Sequence, residues 1–177
     1  MKYWLFLCIF ALSRSNGQSL TLTLNPLSPV EDAYGLGVGY QWNPNWQVWL
    51  ESSILLPFGG TTYNPPLRGG FREILAVRRY VRKRFFVGGE VRLKFASYTT
   101  VNNTLPGAAV FVGSRFHLSG RFFMEWNLGP GLKYREVSIK SYDGCGCLER
   151  SAPFDWDPTK AEFLPYVSAA IRFGFAF

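Results

Sequence analysis

The chain has 177 residues, of which 18% are aromatic and 18% are charged, and its formal net charge is +7 at pH 7. A length in this range is typical of one domain. The mean hydropathy is +0.01, and no segment after the first 17 residues offers 18 uninterrupted apolar residues. Together these features argue against a membrane protein built from helices.

The first 17 residues have the layout of a secretory signal peptide. A positive charge at Lys2 is followed by an apolar run, Tyr3–Leu12, and small residues lead up to Gly17. The apolar run is too short to span a bilayer, where about 20 residues are needed, so we expect cleavage rather than a retained anchor. Residues 1–17 are therefore predicted to be removed, and residues 18–177 to form one barrel domain.

The first four predicted strands alternate along their length between an apolar and a polar face. They cover residues 20–25, 34–42, 46–56 and about 70–80. The first begins with Leu20 on its apolar face, and glycine at every second position of 35–39 leaves room on the polar face of the second. Trp49 turns to the polar face in the third strand. The fourth strand is mixed, because Glu73 and Arg79 fall on its apolar face.

The last four predicted strands cover residues 85–95, 107–118, 122–135 and 163–177. The fifth places Glu90, Arg92 and Lys94 on one face and apolar side chains on the other, and three such charges do not fit a dry core. His117 belongs to the polar face of the sixth. Pro130 lies within the seventh and cannot donate to a ladder, so a bulge or a local break is expected there.

The connections between these strands alternate in length. Short turns at 43–45, 81–84 and 119–121 alternate with longer segments, of which 136–162 is the longest. Aromatic residues cluster at both ends of the strands, as in the two girdles of a membrane barrel. We therefore predict an all-β protein: a monomeric, eight-stranded antiparallel up-and-down transmembrane β-barrel whose apolar side chains point outward into lipid.

The closing segment, residues 171–177, reads Ile-Arg-Phe-Gly-Phe-Ala-Phe. With it the chain resembles the small eight-stranded outer-membrane proteins of Gram-negative bacteria, of the OmpX and OmpA-barrel type. The opening Leu22–Leu27 followed by Gly37–Tyr40 is similar to barrel families common in Bacteroidota. The resemblance implies a location in the bacterial outer membrane, in contact with its lipids. It also implies that barrel-assembly machinery reads three alternating phenylalanines, which are Phe173, Phe175 and Phe177.

Charged residues on the predicted inner face are expected to pair inside the barrel. An eight-stranded barrel encloses a lumen just wide enough for side chains to fill it, and guanidinium forks bridge carboxylates well. The predicted network consists of Glu51, Arg78, Glu90, Arg92, Arg115, Glu125 and Arg172. We expect this network to plug the lumen, and a narrow anion-preferring pore is the alternative.

Other functions need other arrangements. A lipid A-modifying enzyme would use His117, Ser119 and Glu125 as a catalytic set, but the first two lie at a predicted periplasmic turn rather than at the outer leaflet. A soluble lipocalin-like carrier needs an apolar interior, which the charges around Glu90 oppose. The basic run 78–84 is expected to meet anionic headgroups or solvent rather than nucleic acid. We therefore expect no enzymatic activity.

The segment Glu136–Glu162 is the best candidate for contact with a partner outside the cell, because loops of this length without a role are uncommon. It contains Cys145, Cys147 and Trp156. In an exported protein such a cysteine pair forms a local disulfide or stays reduced, since two ligands alone do not complete a metal site. We expect no metal, no cofactor and an unidentified extracellular partner.

Overall fold

The computed structural model describes residues 19–28, 33–55, 67–98, 101–139 and 162–177. These residues form eight β-strands, which in chain order are β1 (Ser19–Ser28), β2 (Ala33–Asn43), β3 (Trp46–Leu55), β4 (Leu67–Tyr80), β5 (Phe85–Tyr98), β6 (Val101–Ser119), β7 (Phe122–Ile139) and β8 (Glu162–Ala176). Within these ranges there is no helix of the length and apolar character needed to cross a membrane.

The eight strands form one closed barrel. Each strand pairs antiparallel with the strand that follows it in the chain. β1 also pairs with β8, through positions such as Leu24 with Phe173, and this pairing closes the ring. The order of strands around the barrel is therefore their order in the sequence. This confirms the predicted all-β, eight-stranded up-and-down barrel fold.

The sixth strand begins earlier than predicted, at Val101 rather than at residue 107. Pro106, just before the predicted start, cannot donate a ladder hydrogen bond. In the barrel it still pairs with Leu93 of β5, whereas on the β7 side the registered pairs pass directly from Thr104 to Gly107. The strand continues because the missing donor interrupts pairing on one side only.

The buried polar and charged side chains face the interior of the barrel together with a smaller set of apolar ones, whereas the outward-facing side chains are mainly apolar. In β3, for example, Gln47 and Glu51 are buried, whereas Leu50 and Ile54 are exposed. Trp49 is buried, as predicted from its place in the alternation. The same alternation of exposed and buried residues continues along the inner and outer faces of the other strands.

Two residues keep their predicted faces but differ in burial from the other residues of those faces. Leu20 is buried although the alternation places it outward. It lies between Tyr40 of β2 and Phe177, whose N–H donates to its carbonyl oxygen at 2.9 Å. His117 is exposed although it belongs to the inner face. It lies two residues from the end of β6, at the rim of the barrel, and its ring centroid is 6.4 Å from that of Phe123.

Inward-facing glycines of β2 make room for large side chains of β3. A Cβ added at Gly37 would lie 2.7 Å from the ring of Trp49, and one added at Gly39 would lie 2.4 Å from the amide nitrogen of Gln47. Both distances are shorter than the contacts that real Cβ atoms make. The room predicted on this face is therefore confirmed, and larger residues do not fit there.

A bulge or a local break was expected at Pro130 in the seventh strand, and the strand has no bulge there. Its register with β8 is continuous. On the β6 side, the pairs Ala109–Gly131 and Val112–Leu128 keep the same offset, and the positions between them are not registered as pairs. The ladder is thus interrupted locally because proline has no N–H to donate. The expected local break is therefore confirmed.

Candidate functional site: the charged interior

The carboxylate of Glu125 on β7 lies between arginines from β4 and β6. Its Oε1 accepts a hydrogen bond from Nη1 of Arg78 at 2.8 Å, and its Oε2 accepts one from Nη2 of Arg115 at 3.0 Å. The alternation of each strand directs all three side chains toward the barrel axis. Because Glu125 is 0% exposed, both charge-assisted bonds form without competition from water.

A second carboxylate, that of Glu51 on β3, is held by four donors. Nη2 of Arg72 donates to its Oε1 and Nε of Arg172 to its Oε2, both at 2.8 Å. Asn25 and Ser53 also donate to Oε1, at 3.1 and 3.0 Å. A carboxylate offers about four acceptor sites, so the hydrogen-bonding capacity of Glu51 is satisfied.

Arg172 of β8 links the two carboxylate centres. Its Nε binds Glu51, and its Nη1 lies 4.0 Å from Oε1 of Glu125. The same Nη1 donates to Oδ1 of Asn127. Contacts therefore run from β3 through β8 to β7 and on to Arg78 of β4, so side chains connect strands that share no backbone ladder.

Glu90 and Arg92 form an ion pair of their own. Nη2 of Arg92 donates to Oε1 of Glu90 at 2.8 Å, and both residues lie on the inner face of β5. Tyr166 of β8 covers the pair: its ring centroid is 4.1 Å from the guanidinium carbon, and its hydroxyl lies 3.5 Å from the same carboxylate oxygen. The other five predicted residues of the interior belong to the connected network described above.

Trp49 packs between two arginines of the network. The guanidinium carbons of Arg172 and Arg78 lie 4.0 and 4.7 Å from its ring centroid, which is within the range of a cation–π contact. Its Nε1 donates to Oγ1 of Thr23 at 3.3 Å. The buried indole therefore keeps its hydrogen bond while its ring contacts two cationic side chains.

An apolar cluster fills the interior beside the ionic network. Its members are Trp49, Ile74, Ala76, Tyr80, Phe86 and Phe111. Phe123 lies close by and covers the guanidinium of Arg115 at 4.1 Å. Sequence analysis did not assign Phe123 or Ile74 to the interior site. Their faces could have been predicted from the alternation along the strands. Phe123 lies two residues from the inward Glu125, and Ile74 lies two residues from the inward Arg72, so each shares the face of that charge.

The three buried glutamates of the described interior are all paired. Glu51, Glu90 and Glu125 each accept a hydrogen bond from at least one guanidinium. The geometry is thus that of a packed interior that fixes the barrel walls relative to one another.

The hydrolytic set considered from the sequence is not assembled. Glu125 is engaged by Arg78 and Arg115, and the ring of His117 contacts Phe123 at the rim. In the part of the chain that the structure describes, His117 forms no hydrogen bond with Ser119 or Glu125.

The three phenylalanines of the predicted assembly signal lie within the last five residues of the described chain. Phe173 and Phe177 are exposed on the outer face. The ring centroid of Phe175 is 4.9 Å from those of both Phe122 and Phe177. The predicted loop contacts lie outside the described residues, and they are Cys145, Cys147 and Trp156.

A comparison of the chain with protein-family models, curated proteins and solved structures gives no match. The similarity of its end segments to OmpX-type barrels and to Bacteroidota families therefore stays a prediction.

Proposed function

We propose that the chain is an integral outer-membrane β-barrel, a monomer without catalytic activity whose lumen is plugged by the charged network. Its role is structural, or it contacts extracellular partners through long outer loops, with the predicted segment Glu136–Glu162 as the leading candidate. The ends of that segment, residues 136–139 and 162, belong to β7 and β8 in the structure. The observation that carries the proposal is the polarity of the barrel wall, with ionic groups inside and large apolar side chains outside.

The outer wall exposes large apolar side chains from every strand. One example from each, in chain order, is Leu22, Leu36, Ile54, Leu75, Val91, Val110, Leu128 and Val167. Soluble monomers rarely expose contiguous apolar patches beyond a few hundred Å². Contact of apolar surface with water costs about 25 cal/mol per Å², and a hydrocarbon surrounding removes that cost.

Aromatic pairs lie toward both ends of this wall. At the end that carries the short turns, Trp42 stacks on Trp46 with 6.3 Å between ring centroids. At the opposite end, the rings of Tyr134 and Phe163 are 5.0 Å apart. Amphipathic rings favour the headgroup zones of a bilayer. Their placement supports a wall that meets two membrane interfaces.

A soluble carrier of lipocalin type needs the reverse polarity. Such a barrel holds its ligand in an interior lined largely by apolar groups. Here the interior contains buried Glu51 and Glu125 with their arginines. The described interior therefore favours the membrane barrel over the carrier.

Val110→Arg is expected to lower the free energy of unfolding in lipid vesicles by about 2–4 kcal/mol, the cost of arginine at the bilayer midplane. Val110 is 64% exposed and lies at the middle of β6. On a soluble barrel the same exposed substitution changes stability by less than about 0.5 kcal/mol. Urea unfolding of protein refolded into phosphatidylcholine vesicles, followed by tryptophan fluorescence, measures the difference.

Leu118→Arg is the matched control, because Leu118 is also exposed on the outer face of β6 but lies one residue from the strand end. Near an interface the cost falls to about 0–1 kcal/mol. A similar, small effect of both arginines would contradict the membrane location.

Planar-bilayer recording separates the plugged lumen from the narrow pore. We expect the refolded protein to give no discrete conductance steps, because Glu125 and its arginines fill the lumen. Steps that disappear in Arg115→Ala would refute the plug and would favour the pore. Such a result would not contradict the membrane location, because that location is tested separately by comparing the stability of the Val110→Arg and Leu118→Arg variants.

A further inference from the structure

A groove with a volume of about 650 Å³ lies on the outside of the barrel wall and crosses β3 to β7. Its lining on the outer face of the strands includes Trp46, Arg79, Val87, Gly89, Val112 and Leu128. Gly88, Phe111 and Gly129 also line it from inward-facing positions, but no member of the charged network does.

Gly89 opens this groove. It lies between Val77 of β4 and Val110 of β6 in the register. The outer face therefore has no side chain between these two valines. The backbone does not demand glycine there, because the nearest atom to an added Cβ would be the carbonyl oxygen of Ala109, at 3.8 Å. Glycine at this position therefore leaves space on the wall rather than relieving a clash.

The groove climbs from the short-turn end into the middle of the wall. Trp46 and Arg79 pair beside the short turns, and the same register row continues through Val87 to Val112 and Leu128. Gly89 lies two residues further along β5, in the neighbouring row with Val77 and Val110, so the space that it leaves runs beside this row. Val112 lies seven residues from the end of β6, and Leu128 lies six residues after the start of β7. Four interstrand spacings give a length of about 19 Å, and one leaflet of hydrocarbon is about 15 Å thick. An inclined acyl chain fits these dimensions.

The short-turn end of the groove is cationic. The guanidinium carbon of Arg79 lies 5.7 Å from the ring centroid of Trp46. The turn that follows β4 adds Arg82, Lys83 and Arg84, all exposed. Among the described residues, these four cations have no ion-pair partner. Phosphate oxygens are the acceptors that guanidinium forks bind best.

We propose that this groove binds one anionic glycerophospholipid of the leaflet at the short-turn end. One acyl chain lies over Gly89 toward Leu128, and the headgroup phosphate contacts Arg79 and the basic turn 81–84. The proposal rests on the membrane location proposed above. An apolar channel with a cationic mouth matches an acyl chain with an anionic head, and the slope of the groove places the mouth at the interface.

Native mass spectrometry tests this with the protein refolded in detergent containing equal amounts of phosphatidylglycerol and phosphatidylcholine with identical acyl chains. We expect one phosphatidylglycerol to be retained in preference to phosphatidylcholine. Gly89→Leu fills the groove and is expected to abolish the retained lipid. Ala108→Leu adds the same side chain on the outer face of β6, outside the groove, and is expected to retain the lipid as the unmodified protein does.

The charge is tested separately. Arg79→Gln is expected to reduce the preference for phosphatidylglycerol about fivefold, the contribution of one cation near an anionic surface. Arg121→Gln, on another short turn, leaves the preference unchanged. Unaltered retention in Gly89→Leu, equal retention of both lipids, or a dimer that covers the groove would each overturn the proposal. If Val110→Arg destabilises the barrel in vesicles more than Leu118→Arg does, but no lipid is preferred, the lipid site is refuted and the membrane location is not.

Discussion

Glu125→Ala is expected to lower the free energy of unfolding of the barrel by about 3–5 kcal/mol, the usual cost of removing one member of a buried ion pair. The change leaves Arg78 and Arg115 inside the barrel without the carboxylate that accepts from both. Arg78 is affected most, because it is 1% exposed and cannot turn to water. Urea unfolding in vesicles, followed by tryptophan fluorescence, measures the loss.

Two other glutamates serve as controls for this variant. Glu136→Ala removes an exposed carboxylate from the same strand and is expected to change stability by less than about 0.5 kcal/mol. Glu90→Ala is also expected to cost more than Glu136→Ala, because it leaves the buried Arg92 without the carboxylate that accepts its hydrogen bond at 2.8 Å. If Glu125→Ala were no more harmful than Glu136→Ala, water would have to reach the arginines and the packed interior would be refuted.

The number of strands and the face of most residues could be predicted from sequence because both depend on a local property. In a strand, the parity of a position decides its side of the sheet. The inward position of Glu51 and the outward position of Val110 follow from that rule alone. The rule gives the side but not the burial: His117 keeps the inner side, where it pairs with Phe123, yet it is exposed, because the rim of the barrel encloses no protected space.

The pairing of charges could not be predicted in the same way, since it depends on the stagger of distant strands. Arg172 binds a glutamate 121 residues earlier in the chain, and Arg78 binds one 47 residues later. The alternation of faces also places Lys94 and Lys133 inside the barrel, so it does not predict which inward cation pairs with which glutamate. The outer groove was missed for the same reason. Gly89 is one more outward position in β5 until the register places it between Val77 of β4 and Val110 of β6, beside the row that runs from Trp46 to Leu128.

Trp49→Ala is expected to destabilise the barrel by about 3–5 kcal/mol, the range for removing a large buried aromatic side chain. Trp49 is 1% exposed, and the variant leaves a cavity between Arg78 and Arg172. These arginines then lose the aromatic face that lies 4.7 and 4.0 Å from their guanidinium carbons. Urea unfolding in vesicles, followed by circular dichroism, measures the loss because the substitution removes a fluorophore.

Two further variants show which property of Trp49 matters. Trp49→Phe keeps an aromatic face for the arginines but loses the hydrogen bond to Thr23, so a smaller loss is expected, of which about 0.5–1.5 kcal/mol comes from that bond. Trp42→Ala removes an exposed tryptophan from the outer wall and leaves no interior cavity, so it should cost less than Trp49→Ala. If the two alanine variants were equally stable, the space around Trp49 would have to be filled by water, and the lumen would be better described as the narrow pore than as a plug.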